Sequence, residues 1–149
     1  MHIPPPFYFA SAFIAGMALD RWVPLPRLDA QWTTVRLAGS YGLMAAAMMA
    51  GGWAILRFLR HHTPVIPGRT ARAMVTDGPN RVTRNPMYVG LFVLYGALSL
   101  RTNLLWPLLL APLLWLLLNY RIVPGEERHL TERFGAAYVE YCQHVRRWL

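Results

Sequence analysis

Apolar runs uninterrupted by charge dominate this chain, in four windows: Ile3 to Leu19, Leu37 to Leu56, Asn85 to Leu100, and Thr102 to Tyr120. Each is bounded by at least one arginine or aspartate. A helix that crosses a bilayer needs roughly 20 apolar residues, with about 17 as the lower limit. The second and fourth windows meet that length outright. The third is short. It is expected to start with Pro86 in its first turn and to gain reach from snorkelling Arg84 and Arg101. It then pairs with the fourth window as a tight hairpin through Arg101, Thr102 and Asn103. A soluble core helix is the rival reading for that segment alone. The predicted fold is all-α: a polytopic membrane bundle of about four transmembrane helices, a single membrane domain over residues 1–149. Its parts are two helices in 1–60, a cytosolic connector in 61–84, a helical hairpin in 85–123 and a C-terminal amphipathic helix in 124–149.

The pattern changes after Val123. Pro124 and Gly125 interrupt the apolar run, and Leu130, Phe134, Tyr138, Tyr141, Val145 and Trp148 then recur at spacings of three or four. That spacing predicts an amphipathic helix, with Gly135 as the place where it divides. The polar side carries Glu132, Arg133, Glu140, His144, Arg146 and Arg147. Such a helix either lies on the membrane surface or folds back over the connector and closes a pocket. Within the spans, Ala38, Gly42, Ala46 and Ala50, and likewise Ala12 and Gly16, recur every four residues and predict small faces for close helix approach.

Composition agrees with membrane residence, with 55% hydrophobic residues and a mean hydropathy of +0.27. The net charge of +8 would suit a nucleic-acid partner on a polar surface. Here the charges sit between long apolar runs, which argues against that partner. All basic residues are arginine, and their placement predicts orientation. Arg57, Arg60, Arg69, Arg72, Arg81 and Arg84 follow the second window, and Arg121, Arg128, Arg133, Arg146 and Arg147 follow the fourth. Arg21, Arg27, Arg36 and Arg101 lie opposite. Positive charge gathers on the cytoplasmic side, so both termini and the connector are expected there; arginine throughout in place of lysine points to a GC-rich, bacterial source, hence a bacterial inner membrane. The first apolar segment lacks a basic leader and reads as a retained span. Cys142 is the single cysteine, which leaves no intramolecular disulfide and no multi-cysteine metal site. His61 and His62 adjoin Arg57 and Arg60 as a basic flank, without the further ligands zinc needs, so no metal is expected. His129 and His144 read as exposed polar positions of the C-terminal helix.

The connector from His61 to Arg84 is dense in turn-forming and polar residues. Gly78-Pro79, the run Thr83-Arg84-Asn85-Pro86-Met87-Tyr88 with Gly90, and Glu126-Glu127-Arg128 followed by Phe134-Gly135 and Tyr138 resemble the isoprenylcysteine carboxyl methyltransferase and phospholipid methyltransferase family of membrane enzymes. The resemblance runs from about His61 to Trp148. It implies an S-adenosylmethionine-dependent methyltransferase. The cofactor would be enclosed by the cytosolic ends of the last two helices, the loop before them and the C-terminal helix, with a lateral opening for a lipophilic acceptor. Carried over by position, Gly78, Arg84, Asn85, Pro86, Tyr88, Gly90, Glu126 and Glu127 are the cofactor-binding candidates, with Arg84 and Glu127 as the catalytic ones. Two departures stand out. Asn80 occupies a place where relatives commonly have an aromatic residue. Asn85 stands where eukaryotic members have histidine, which excludes histidine proton transfer at that position.

The residue types suit that chemistry. Carboxylates accept hydrogen bonds from ribose hydroxyls and an ammonium group, and a carboxylate at the membrane face needs such partners to offset its desolvation. Glu126 and Glu127 qualify, although acids also favour a helix start for its dipole. Asn85-Pro86 reads as an N-cap with proline at the first helical position, and the free amides there can receive a carboxylate. Arg84 is suited to orient the cofactor carboxylate or an acidic acceptor, and equally to meet lipid headgroups. Tyr88 either lines the pocket or belongs to the interfacial aromatic belt. A carboxylate acceptor needs no general base, whereas a lipid amine must lose a proton, to a glutamate or to His129. The expected partners are a lipophilic small-molecule or lipid substrate and membrane lipids. Two other readings stand beside this one: a membrane reductase of the sterol reductase type using NADPH, and a non-catalytic membrane protein.

Overall fold

The computed structural model describes residues 3–60 and 74–149. His61, His62, Arg69 and Arg72, named above, lie outside the described residues. Among those described, every regular element is helical: α1 (Pro5–Trp22), α2 (Thr33–Arg60), α3 (Pro86–Thr102), α4 (Leu105–Leu117), α5 (Val123–Phe134) and α6 (Ala136–His144), with short 3₁₀ turns at Ala30–Trp32 and Gly78–Arg81. Two helical stretches are long and apolar enough to cross a membrane, Ala30–Arg57 and Leu105–Phe134. The helices α1 and α3 are shorter, at 18 and 17 residues. Much of the outer surface is apolar: Met48, Met49, Leu109 and Leu113 are all more than half exposed. Apolar surface on that scale needs a lipid environment, and the chain is read as a membrane protein.

The turn between α3 and α4 is built by Asn103, which adopts the left-handed conformation at φ 56°. Its N–H donates to the Leu100 carbonyl and the N–H of Leu104 to that of Ser99, both at 3.1 Å. This satisfies carbonyls that a helix end otherwise leaves open. Asparagine tolerates this backbone because its short polar side chain bonds locally. Here that side chain exchanges two hydrogen bonds with the backbone of Leu28, at 3.0 and 3.1 Å. At the same end of the bundle, the Arg36 guanidinium donates to the carbonyls of Leu100 and Arg101.

Helix α2 packs chiefly on α3, and α1 on α4. Gly16 lies against Pro107: a Cβ there would sit 2.8 Å from the proline nitrogen. The close approach expected at Gly16 is therefore present. The expected stripe on α2 is not. Ala38, Gly42, Ala46 and Ala50 are all exposed, and the buried set is Ser40, Ala47 and Ala54. Each step of four residues turns about 40° past a full circle, so a strict four-residue repeat winds off a contact seam, whereas steps of seven stay on it. Gly90 of α3 meets this seam, its Cβ position lying 3.8 Å from the Ala47 carbonyl oxygen and 3.9 Å from the Gly51 nitrogen.

The core of the bundle is aromatic. Phe9 of α1 meets Phe92 and Tyr95 of α3 edge to face, with centroids 4.8 and 6.0 Å apart. Leu114, Leu118 and Val123 continue it along the α4 to α5 junction. That junction is a single widened turn over Leu118–Ile122, with the Val123 N–H reaching back to the Leu118 carbonyl. Pro124 explains it. In a regular helix its ring would clash with the carbonyl four residues earlier, and the widened turn relieves that contact.

After Phe134 the helix stops at Gly135, with φ 55° and ψ −131°, a conformation that suits glycine alone. The expected C-terminal helix is thus two pieces, α5 and α6, and Val145 turns extended at φ −123° and ψ 129°. Leu130, Phe134, Tyr138, Tyr141, Val145 and Trp148 are all buried or half-buried, while Glu132, Arg133, Glu140, His144 and Arg146 are exposed. Arg147, expected on the polar side, is half-buried instead.

Candidate functional site

The site is assembled from three segments: the loop Gly78–Asn85 with the first turn of α3, the α4 to α5 junction, and the strap Val145–Trp148. Gly78 starts the loop at φ 60°, and a Cβ there would lie 3.1 Å from the Arg57 Nε. Arg57 in turn donates to Asp77 at 2.9 Å, so the loop is pinned to the end of α2. Asn80 is buried, and its carbonyl accepts the Tyr141 hydroxyl at 2.6 Å. Thus a side chain of α6 reaches over the loop at Asn80.

Asn85 stands at the N-cap of α3 as expected, yet its side chain makes no capping bond. Its Nδ2 donates instead to the Arg147 carbonyl at 2.9 Å. The same carbonyl accepts the Thr83 hydroxyl at 3.1 Å, and the Arg84 N–H donates to the Arg146 carbonyl at 2.9 Å. The strap is therefore held along the loop by one main-chain bond and by two side-chain donors that share the Arg147 carbonyl.

Side chains close the same seam. Tyr88 donates to Glu126 at 2.9 Å. Glu127 lies between two guanidiniums, with Arg84 Nη1 at 3.2 Å and Arg147 donating from Nε at 3.0 Å and Nη2 at 2.5 Å. The Arg147 fork is bidentate, the geometry that makes arginine–carboxylate pairs strong. Asn119, buried in the widened turn, accepts from Trp148 Nε1 at 2.9 Å and Arg147 Nη1 at 3.3 Å. The Trp148 ring then packs among Tyr88, Phe92 and Trp115 at centroid distances of 6.2 to 6.3 Å.

Burial raises the Glu126 carboxyl above its ordinary range; the Tyr88 hydrogen bond pulls it back and the adjacent Glu127 charge adds to the rise. Burial, the largest single effect, would lower the Arg84 guanidinium, but Glu127, Cys142 and Tyr138 together outweigh it and the net direction is upward, so this cation is secure. Burial also pushes the Tyr141 hydroxyl up to about 12, which keeps it a donor to Asn80.

Of the eight residues singled out in the sequence, Arg84, Asn85, Tyr88, Glu126 and Glu127 share this bonded cluster. Pro86 begins α3 beside them, Gly78 shapes the loop, and Gly90 serves the α2 seam. Asn119, Arg147 and Trp148 were missed. Asn119 had a signal, since a carboxamide at the far end of a charge-free apolar window demands a partner. Arg147 and Trp148 had none beyond helix periodicity. Two buried donors here, Asn80 Nδ2 and Arg84 Nε, have no partner. A hollow of about 290 Å³ lined by Leu28, Trp32, Val35, Arg36, Gly39 and Leu100 lies at the opposite ends of α2 and α3 and contains none of this chemistry.

Residues 35–137 match the family model of phospholipid methyltransferase. No curated protein and no solved structure matches the chain. The match takes in α2, α3, α4 and α5 and both halves of the Arg84–Glu127 and Tyr88–Glu126 pairs, and it covers more than half of the chain. The chain belongs to the phospholipid methyltransferase family, a family of membrane methyltransferases.

Proposed function

We propose that the protein is an S-adenosylmethionine-dependent methyltransferase of the membrane, acting on a lipophilic acceptor at the cytoplasmic ends of four transmembrane helices α1 to α4. The observation that carries this reading is the joining of two sequence-distant motifs: Arg84 and Tyr88 from one meet Glu127 and Glu126 from the other. The arginine asymmetry supports the orientation, with both termini cytoplasmic.

The residues present suit the methyl donor. Glu126 has one hydrogen-bond partner and retains acceptor capacity for ribose hydroxyls or the ammonium group. The unpartnered donors Arg84 Nε and Asn80 Nδ2 suit acceptor atoms of the ligand, since a buried donor left unsatisfied costs about 1–3 kcal/mol. When bound, the sulfonium supplies an electrophilic methyl group. Arg84 orients the donor carboxylate or an acidic acceptor, and Glu127 holds Arg84 in place. Alignment and exclusion of water then account for most of what the protein contributes. A carboxylate acceptor would take the methyl group without losing a proton, so no general base would be asked of the protein. A lipid amine would have to lose a proton, for which a glutamate of the site or His129 would serve.

The test is titration of the detergent-purified protein with S-adenosylmethionine and S-adenosylhomocysteine, followed by labelled methyl donor with phosphatidylethanolamine and, separately, a long-chain carboxylic acid. Saturable binding of both nucleosides and label in one lipid support the reading. Binding of NADPH without S-adenosylmethionine would replace it with the reductase.

A further inference from the structure

Arg147 belongs to neither motif, and it lies beyond residue 137, where the family match ends. Even so, it touches every segment of the site. Its side chain grips the α4 to α5 junction twice, as a fork on Glu127 and as a donor to Asn119. Its carbonyl receives Asn85 and Thr83 from the loop before α3. The next residue, Trp148, adds a bond to Asn119 and fills the aromatic gap beside Tyr88.

These contacts are hard to replace singly. The fork fixes direction as well as charge, because two parallel N–H bonds to one carboxylate permit one orientation. Glu127 is shared with Arg84, so a change in the fork passes directly to the guanidinium proposed to face the ligand. Glu126 is the neighbour of Glu127 on the same turn of α5. Asn119 is a carboxamide buried among apolar residues, and it depends on Arg147 and Trp148 for its acceptor bonds.

We propose that Arg147 is a positioning residue: its fork on Glu127 and its carbonyl on Asn85 lock the strap Val145–Trp148 across the site and set where Arg84 and Glu126 meet the methyl donor. This rests on the S-adenosylmethionine reading above for the ligand, though the lock itself does not. Ligand affinity and strap closure are then coupled.

The chain's single cysteine makes closure measurable. Cys142 is part-buried on α6, in contact with the Arg84 guanidinium, so its labelling by a small maleimide reports opening of this seam. The experiment compares full-length wild type, Arg147→Ala and Arg147→Lys in detergent. It reads S-adenosylmethionine affinity, labelling rate and thermal midpoint. Arg147→Ala is expected to weaken affinity roughly tenfold or more and to label several-fold faster. Arg147→Lys restores the charge without the fork; it is expected to keep the wild-type midpoint yet recover only part of the affinity. Unchanged affinity and labelling in Arg147→Ala overturn the proposal. Should that variant unfold, the lysine variant decides, and wild-type affinity with lysine would reduce Arg147 to a structural charge. A wild-type protein that binds no S-adenosylmethionine refutes the donor reading instead. The lock is then judged by labelling alone: faster in Arg147→Ala upholds it, unchanged rejects it.

Discussion

Tyr88 donates its hydroxyl to Glu126 at 2.9 Å, tying the first turn of α3 to the first turn of α5. The bond favours the ionised carboxylate, against the burial that disfavours it. Binding of a cationic ligand at Glu126 should therefore fail as pH falls, with a midpoint above the ordinary carboxyl value of 4.5. Tyr88→Phe removes the stabilising donor and is expected to move that midpoint higher still. The ligand-free protein should show the opposite trend. A carboxyl raised in the folded state contributes stability that is complete below the unfolded value and is lost as pH rises through the folded one. Thermal midpoints against pH, in wild type and Glu126→Gln, test this: a slope that survives in Glu126→Gln would clear Glu126 of the effect.

The contact of Gly16 with Pro107 allows no methyl group, since a Cβ would sit 2.8 Å from a backbone nitrogen and 2.9 Å from the proline Cγ. Gly16→Ala must push α1 off α4, and overpacking of this kind costs about 1–3 kcal/mol. Gly42→Ala is the control, because nothing lies within 4 Å of its Cβ position and alanine is the better helix former. Denaturation in mild detergent should show a clear loss for the first and no loss for the second.

Gly78 is expected to resist replacement for a different reason. Its φ of 60° lies where a Cβ crowds the following carbonyl, at about 1–2 kcal/mol. Gly78→Asn should cost less than Gly78→Ala, because asparagine tolerates this backbone better. Both must still accommodate Arg57 at 3.1 Å. Equal losses from the two variants would show that the contact with Arg57 and not the backbone sets the cost.

Long apolar runs have one dominant local reading, which is why α1, α3 and α4 start and end within a few residues of the charge-free windows. The hairpin turn at Asn103 and the break at Gly135 were legible for a related reason, since both depend on what one residue's backbone permits. The face of α2 was not. Which small residues become a seam depends on where α3 lies, and Gly90 selects Ala47 and Gly51 over the stripe of Ala38, Gly42, Ala46 and Ala50. The candidate site divides in the same way. Arg84, Tyr88, Glu126 and Glu127 were visible as motifs, whereas the pairing of Asn119 with Arg147 and Trp148 joins residues 28 and 29 apart in the chain and leaves no local trace.

The proposed topology puts residues 101 and 128 on opposite sides of the membrane. Single cysteines at Arg101 and Arg128, in a Cys142→Ser background, should therefore differ in their reaction with an impermeant maleimide on intact cells. Arg101 is expected to label and Arg128 to be protected until the membrane is permeabilised. Labelling of both on intact cells would remove the four-span arrangement.

Adjacent carboxylates in this site are expected to separate under mutation. Glu127 neutralises two guanidiniums at 2.5 to 3.2 Å, and Glu127→Gln leaves both cations facing a neutral amide. Removing one partner of a buried pair costs about 3–5 kcal/mol. Arg147 retains 32% of its side-chain exposure, so water screens part of the penalty and a loss nearer 2 kcal/mol is expected. Glu126 has Tyr88 as its hydrogen-bond partner, and its burial disfavours the charge, so Glu126→Gln should leave the thermal midpoint unchanged or raise it. Its effect should appear in ligand affinity, with a weakening of about ten- to a hundredfold for one lost charge-assisted hydrogen bond of about 1.5–3 kcal/mol. Thermal midpoints and S-adenosylmethionine affinities of the two variants, measured side by side, decide the assignment. A Glu126→Gln protein with wild-type affinity would move the ligand contact to Glu127 and make Glu126 a structural partner of Tyr88.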